Sequence, residues 1–208
     1  MNIIEYNEII NEAVEIAKEK TNLNHSEIKK EIYNGSIKFK DIYFLEKLKA
    51  KTILEIGSYV GISSKILLEI LKPIKLVSID PNIKHRIFKY PREIYELLNK
   101  KYIENKSIEP INGFFRTGGF PIIKLNQKFD LIFIDADHNY DSIKNDFFES
   151  LELLNNNGTI LIHDVHTWPG VKKFYQEIKN DNSFIVKISN IKKSHDGFFT
   201  VKRQFKLI

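Results

Sequence analysis

The chain carries two successive patterns of hydrophobic and polar residues. From Ile3 to Lys20, apolar residues recur every three or four positions with Glu and Lys between them, which predicts an amphipathic helix. Two shorter helices are predicted after it, at residues 25–33 and 41–49. From residue 51 onward, short apolar runs of strand length alternate with longer amphipathic stretches. This alternation predicts an α/β fold built on a mostly parallel sheet.

Seven strands are predicted in the second part of the chain, with helices between most of them. The strands are expected at residues 52–56, 75–79, 108–112, 129–134, 159–162, 184–188 and 198–202. The helices are expected at residues 63–71, 92–101, 141–154 and 171–180. The run Asn155-Asn156-Asn157-Gly158 predicts a turn before the fifth strand. The segment between the last two strands is too short for a helical crossover, so these strands are expected to form an antiparallel hairpin.

The composition is that of a soluble globular protein of one domain, with 208 residues, 42% hydrophobic and 28% charged. The chain has no cysteine, which excludes disulfides, thiolate nucleophiles and thiolate metal ligands. The net charge is +5, but the lysines are interleaved with acids, which argues against a nucleic acid partner. Acids near the first residue and the lack of an apolar run of ~20 residues favour a cytoplasmic location without a membrane span.

Five successive predicted strands end in an acid, a glycine or a histidine. These strand-end residues are Glu55 and Gly57, then Asp80, then Gly113 with Phe114, then Asp135 with Asp137 and His138, and then His163 with Asp164. Ligands of open α/β sheets bind in the crevice outside the carboxyl ends of the strands. The sequence therefore predicts a ligand site along this edge of the sheet.

The first strand runs into Glu55-x-Gly57-x-x-x-Gly61 and then into a helix. Such a turn brings backbone N–H groups and the positive end of a helix against a ligand. The glycine spacing differs from the Gly-x-Gly-x-x-Gly pattern of dinucleotide sites, and two glycines alone are equally compatible with a turn that needs small residues. Asp80 ends the next strand, where a carboxylate can bind ribose hydroxyls; its alternative role is to cap a helix.

Two groups of segments carry a resemblance to a known family. Leu54-Glu55-Ile56-Gly57-Ser58-Tyr59-Val60-Gly61-Ile62-Ser63-Ser64, with Ser78-Ile79-Asp80, resembles motifs I and II of the class I S-adenosylmethionine-dependent methyltransferases. Asp135-Ala136-Asp137-His138-Asn139-Tyr140 and Leu161-Ile162-His163-Asp164, with Pro169-Gly170-Val171, resemble a bacterial subgroup of small-molecule O-methyltransferases related to the catechol and caffeoyl-CoA enzymes. The resemblance covers about residues 49–203.

The resemblance implies a single methyltransferase domain, with residues 1–50 as a helical cap and residues 51–208 as a Rossmann-like core. This core would be a doubly wound, mostly parallel seven-stranded sheet with an antiparallel last strand. The implied activity is methyl transfer from S-adenosylmethionine to a small molecule, on a hydroxyl oxygen. The residues implied for the cofactor are Glu55, Gly57, Ser58, Tyr59, Gly61 and Ser63 at its amino-acid end, Asp80 at the ribose, Gly113 and Phe114 at the adenine, and Asp135 beside the sulfonium.

The metal-dependent relatives use a divalent cation such as Mg²⁺, and its ligands would correspond to Asp135 and Asp164. Their third ligand is an Asn directly after the second Asp, where this chain has Val165, so His163 or His166 would have to replace it. The catechol-type relatives have a catalytic Lys at the position of His138. His138 is therefore the expected general base beside Asp135, and its alternative role is to orient the two acids.

Several alternatives stay open at this point. The scaffold would also suit a metal-dependent hydroxylase, an aminopropyltransferase or a ligand-binding protein without catalysis. The helical stripe from Ile3 to Ala17 would pack either on the sheet or on a second subunit in a homodimer. Trp168 would line an acceptor pocket or serve packing, and the three remaining histidines, His25, His85 and His195, are expected at the surface. The loop Arg116-Thr117-Gly118-Gly119 has no assigned role.

Overall fold

A computed structural model describes residues 1–115, 122–123, 125–189 and 196–204. The helices are α1 (Ile3–Lys20), α2 (His25–Asn34), α3 (Phe39–Leu45), α4 (Ile62–Leu71), α5 (Pro91–Leu98), α6 (Lys100–Glu104), α7 (Tyr140–Leu151) and α8 (Pro169–Ile178). The strands are β1 (Thr52–Ile56), β2 (Lys75–Asp80), β3 (Ile108–Asn112), β4 (Phe114–Phe115), β5 (Ile122–Ile123), β6 (Phe129–Ile134), β7 (Leu154–His163), β8 (Phe184–Ile188) and β9 (Phe198–Arg203). The loop at 116–119 and His195 lie outside the described residues.

The main sheet has seven strands in the order β3-β2-β1-β6-β7-β9-β8. Its first five strands pair in parallel, whereas β9 pairs antiparallel with both β7 and β8. The predicted doubly wound sheet with an antiparallel last strand is confirmed, and so is the predicted hairpin of the last two strands. A separate parallel pair formed by β4 and β5 was not predicted.

Both faces of the sheet are covered, so alternate residues of each strand enter different cores. Ile53 of β1 belongs to the core formed with the N-terminal helices and α4 and α5. Leu54 and Ile56, which point to the opposite face of β1, belong to the core formed with α7 and α8. Burial on both sides explains why the strands have nearly continuous apolar sequences.

The N-terminal stripe is buried within the chain itself. A capping box of Asn2 and Glu5 starts α1, and the side chains of Tyr6, Ala13 and Ala17 are at most 2% exposed. The helix packs against α2, α4 and α5. The stripe is therefore buried by helices of the same chain, and the homodimer stays a prediction.

One predicted turn is wrong. Residues 155–158 continue β7, which begins at Leu154. Pairing moves from Phe129–Leu154 to Leu131–Thr159, so β7 advances five residues while β6 advances two. The additional residues of β7 form an irregular bulge. It is held in place because the Asn155 side chain donates a hydrogen bond to Asp130 Oδ1 at 2.7 Å.

No helix among the described residues has both the length and the apolar character needed to cross a membrane.

Candidate functional site

A cavity of about 420 Å³ lies at the carboxyl ends of the central strands, below the end of α2. Many residues that were predicted for the site line it, namely Gly57, Ser58, Tyr59, Ser63, Asp135, His138, His163 and Asp164. They come from the turn after β1, the loop after β6 and the end of β7. The parallel sheet therefore brings together residues that are more than a hundred positions apart in the sequence.

The turn after β1 requires glycine at two positions for different reasons. Gly57 has a φ of +86°, and a Cβ there would lie 2.3 Å from the backbone oxygen of Asp135. Gly61 has a φ of +85°, and a Cβ there would lie 2.5 Å from the side chain of Asn99. Only glycine permits both this backbone conformation and such close approaches. Gly57 thus lets the turn touch the end of β6, whereas Gly61 packs against α5 and Asn99, away from the cavity.

Glu55 is fully buried behind Ser63. Its carboxylate accepts a hydrogen bond from Ser63 Oγ at 2.7 Å and another from Ser64 Oγ. Burial raises the pKa of Glu55 to about 7. Ser63 lines the cavity and Glu55 does not, so any effect of Glu55 on a ligand passes through the first turn of α4.

The side chain of Asp80 stabilises the turn after β1 by accepting hydrogen bonds from its backbone. Its Oδ2 accepts hydrogen bonds from the backbone N–H groups of Ser58 at 3.0 Å and Tyr59 at 2.9 Å, and its Oδ1 accepts one from Asn82 at 2.8 Å. In addition, the Gly113 N–H donates to the backbone oxygen of Asp80 at 3.1 Å.

Asp80, Gly113 and Phe114 do not belong to the described lining of the cavity. Asp80 is the last residue of β2, and Gly113 and Phe114 follow β3. Residues 116–121, which come next, are outside the described ranges. Their predicted contacts with ribose and adenine remain predictions.

Four side chains form what we call the strand-end cluster: Asp135, His138, His163 and Asp164. His138 Nε2 lies 2.7 Å from Asp164 Oδ2 and 3.6 Å from Asp135 Oδ1. His163 Nδ1 lies 3.2 Å from Asp135 Oδ2 and 3.5 Å from Asp164 Oδ1. Each imidazole thus faces both carboxylates.

The protonation states of the cluster follow from this pairing. Burial alone would raise the pKa of Asp135, but the imidazoles of His163 and His138 outweigh it and hold that pKa well below its usual range. Burial would lower the pKa of both histidines, yet the carboxylates of Asp135 and Asp164 raise each to about 9. At neutral pH Asp135 is therefore ionised and both imidazoles are protonated.

The cluster offers a plausible ligand set for a cation, but with a different histidine from the one predicted. Ligand atoms of Asp135, His138 and Asp164 lie within 4.8 Å of one another. His138 Nε2 faces both carboxylates, so a cation bound there would take the place of the proton that the imidazole holds at neutral pH. Val165 is buried in the core, and His166 Nε2 lies 3.3 Å from the backbone oxygen of Ser189, so neither replaces the missing Asn.

Trp168 both packs against a neighbouring side chain and lines the cavity, while its contact with an acceptor stays a prediction. Its indole stacks on the imidazole of His138 and also lines the cavity, with 41% of its surface exposed. Gly170 lets α8 start directly against this loop, because a Cβ there would lie 2.3 Å from the backbone oxygen of His138.

The N-terminal cap supplies one wall of the cavity. Tyr33, Asn34 and Lys38 line it from the end of α2. Glu31 joins this wall to the core, accepting a hydrogen bond from the Tyr59 hydroxyl at 3.3 Å and pairing with Arg86 at 3.0 Å. The surface position expected for His85 is correct, but His85 also lines the cavity beside Tyr59. No motif marked these residues, since only tertiary packing brings them to the site.

A family model described as a methyltransferase domain matches residues 54–165, which is more than half of the chain. This segment contains the glycine turn, Asp80 and the whole strand-end cluster. No curated protein sequence matches the chain.

Solved structures with the same fold include three methyltransferases at 20% sequence identity. A methyltransferase of Podospora anserina with bound SAH has a TM-score of 0.69, covering 95% of this chain and 88% of that one. An O-methyltransferase of Bacillus cereus in complex with SAH has a TM-score of 0.64, covering 95% and 91%. The O-methyltransferase TomG of Streptomyces achromogenes, in complex with SAM and involved in tomaymycin synthesis, has a TM-score of 0.62, covering 95% and 90%. These likenesses confirm the Rossmann-like fold.

Proposed function

This chain belongs to the methyltransferase-domain family, as the resemblance in its sequence predicted, and we propose that it transfers the methyl group of S-adenosylmethionine to a hydroxyl oxygen of a small molecule. The observation that carries the proposal is that one cavity is lined both by the glycine turn and by the strand-end cluster. A donor at the turn and an acceptor at the cluster would therefore meet in the same space, as an in-line transfer requires.

The turn suits the amino-acid end of the donor. Gly57 and Ser58 present small side chains and backbone to the cavity, and Ser63 presents a hydroxyl at the positive end of α4. Asp135 places an ionised carboxylate beside them, which would attract the positive sulfonium. S-adenosylmethionine bound here supplies a methyl group that is already activated, so the protein has to align the acceptor and remove its proton.

The remainder of the cavity suits a small acceptor. The whole cavity, including the part at the glycine turn, has a volume of about 420 Å³, which is in the range of small-molecule sites. Aromatic side chains of Tyr33 and Trp168 and charged side chains of Lys38 and Arg86 line it. The oxygen preference is supported by the O-methyltransferases of similar fold from Bacillus cereus and Streptomyces achromogenes.

Removal of the acceptor proton falls to the strand-end cluster. With a pKa of about 9, His138 holds a proton at neutral pH, so it cannot act as a base in that state. A divalent cation bound by Asp135, His138 and Asp164 would supply the positive charge that lowers the pKa of an acceptor hydroxyl. Asp135 and Asp164 would hold that charge in place, and Trp168 would keep the imidazole of His138 in its plane.

Isothermal titration with S-adenosylhomocysteine tests the donor site through two matched acids. Asp80 Oδ2 accepts two backbone N–H bonds at one end of β1, and Asp130 Oδ2 accepts two at the other end, from Lys51 and Thr52. Asp80→Ala is expected to weaken binding at least tenfold, while Asp130→Ala keeps the wild-type affinity. Absence of binding to the wild-type protein would overturn the proposal.

Release of S-adenosylhomocysteine tests the acceptor class. The protein is incubated with S-adenosylmethionine and panels of small phenols and sugars, with oligoribonucleotides as a separate panel. Turnover of small hydroxyl compounds that is lost in a chelator and in Asp164→Ala is expected. Turnover of the oligoribonucleotides alone would refute the small-molecule acceptor, and full activity in the chelator would refute the cation.

A further inference from the structure

A second group of metal-ligating side chains lies beside the strand-end cluster, and we call it the inner triad: Asp41, His163 and Asp196. Asp41 of α3 is fully buried, His163 at the end of β7 is 5% exposed, and Asp196 just before β9 is 8% exposed. One carboxylate oxygen of each aspartate and one ring nitrogen of His163 lie within 4.8 Å of one another. The triad thus joins the N-terminal cap to two strands of the core.

The ring of His163 is oriented as in a metal-binding histidine. Its Nδ1 faces Asp135 Oδ2 at 3.2 Å, and its Nε2 is buried without a hydrogen-bond partner among the described residues. Histidines that bind metals characteristically donate one ring N–H to a carboxylate, which fixes the tautomer and leaves the other nitrogen free for the ion. The contact with Asp135 provides such a carboxylate for Nδ1 of His163.

The triad lies at the inner wall of the cavity, to whose lining His163 and Asp196 belong. The imidazole of His163 packs against Phe198, with ring centroids 4.7 Å apart, and against Phe133 at 6.3 Å. Carboxylates in such an apolar setting need positive charge close by. Lys38 Nζ lies 3.4 Å from Asp196 Oδ2, and the Thr167 hydroxyl donates to Asp196 Oδ1 at 3.0 Å. Lys38 supplies one positive charge, and a divalent ion at Nε2 of His163 would replace a ring proton there with a larger positive charge.

We propose that Asp41, His163 and Asp196 bind a divalent transition-metal ion such as Zn²⁺, with Nε2 of His163 as the nitrogen ligand. One imidazole with two carboxylates is a donor set that zinc accepts, whereas Mg²⁺ and Ca²⁺ take oxygen ligands. The ion would connect α3 to the last residue of β7 and to the residues just before β9. It would thereby hold the N-terminal helices over the cavity. The site is separate from the cation ligands Asp135, His138 and Asp164, and the proposal does not depend on methyl transfer.

Zinc uptake by the full chain tests the proposal. Protein freed of metal with a chelator is titrated with Zn²⁺ alone, and bound zinc and the unfolding temperature are measured for the wild type, Asp41→Asn and Asp164→Asn. The wild type is expected to bind zinc and to gain thermal stability. Asp41→Asn loses one equivalent of zinc and that gain. Asp164→Asn, changed in the strand-end cluster, loses at most the equivalent bound there and keeps the equivalent at the inner triad together with the gain in stability.

The opposite pattern overturns the inference: zinc uptake by Asp41→Asn equal to that of the wild type, or no uptake by the wild type. Asp196→Asn carries the same expectation if Asp41→Asn fails to fold. Substitution by Co²⁺ in the Asp164→Asn variant, where the strand-end site is weakened, gives an independent measurement, since nitrogen ligation by His163 produces a visible absorption band that a further His163→Gln change removes. Because these measurements use the metal alone, their failure would leave the proposed methyl transfer intact.

Discussion

The indole ring of Trp168 lies flat against the imidazole of His138, with ring centroids 4.9 Å apart and planes 11° from parallel. Trp168 is the single tryptophan of the chain, so its fluorescence reports on this contact without interference from another indole. A protonated imidazole quenches a stacked indole because it accepts an electron from the excited ring. The pair therefore provides a built-in probe of the charge on His138.

The fluorescence of Trp168 in chelator-treated protein is expected to rise as the pH is raised through about 9. Asp135 and Asp164 raise the pKa of His138 to that value, so the imidazole stays protonated below it and loses its proton above it. The measurement is a fluorescence titration, and His138→Gln should abolish the transition. A midpoint near the ordinary histidine pKa of ~6.5 would show that the two carboxylates do not hold the proton.

Glu55 is expected to make the protein less stable as the pH rises from about 4.5 to about 7. Burial raises its pKa from 4.5 to about 7, so the folded protein binds a proton that the unfolded chain has already released in this window. The loss is on the order of 3 kcal/mol and persists above pH 7. Urea unfolding measured at both ends of the window should show that Glu55→Gln removes most of the loss, while Glu8→Gln, at an exposed acid of α1, leaves it unchanged.

Replacement of Gly57 by alanine is expected to damage the donor site more than the fold. The positive φ alone costs about 1–2 kcal/mol for a residue with a Cβ. The contact with the Asp135 backbone would also push the turn away from β6. Gly158→Ala is the control, because a Cβ there also makes close contacts, with Leu154 and the backbone oxygen of Asn155, but Gly158 has no positive φ and does not line the cavity. Titration with S-adenosylhomocysteine should show strongly reduced binding for Gly57→Ala alone.

Glu31 is expected to hold the cap against the core. Its side chain is 15% exposed and joins Tyr59 to Arg86, whereas Glu96 pairs with Arg92 one helical turn away and is 53% exposed. Glu31→Ala should lower the free energy of unfolding by about 1–2 kcal/mol, and Glu96→Ala by no more than about 0.5 kcal/mol. Hydrogen exchange of α2 should quicken in Glu31→Ala only; equal exchange in both variants would argue against this role.

The sequence predicted the sheet well because its signals are local. Buried parallel strands need apolar runs, and Ile53 and Leu54 satisfy two different cores in adjacent positions. The acids and glycines at the strand ends were equally visible, and Gly57, Asp135 and Asp164 among them line the cavity. The bulge at 155–158 escaped prediction because three asparagines and a glycine are typical of a turn, and only the contact with Asp130 keeps them in the strand.

The arrangement inside the site was less predictable, since it depends on side-chain direction. His138 and His163 both follow strand ends, but the sequence does not show that His138 meets Asp164 while His163 turns between Asp135 and the inner triad. Asp41 lies in the apolar pattern of a cap helix, where nothing in the sequence marks a ligand. Its position became apparent only when α3 was seen against β7.

Asp80 and Asp130, which accept backbone hydrogen bonds at the two ends of β1, also limit where residues can be inserted into the chain. Asp80 fixes the strand at its carboxyl end and Asp130 fixes it at its amino end, so β1 cannot slip by one residue without losing both. A slip would turn Glu55 from the serines of α4 into the apolar layer formed by α7 and α8. Insertions between residues 52 and 61 should therefore destroy the donor site, whereas the bulge at 155–158 can vary in length.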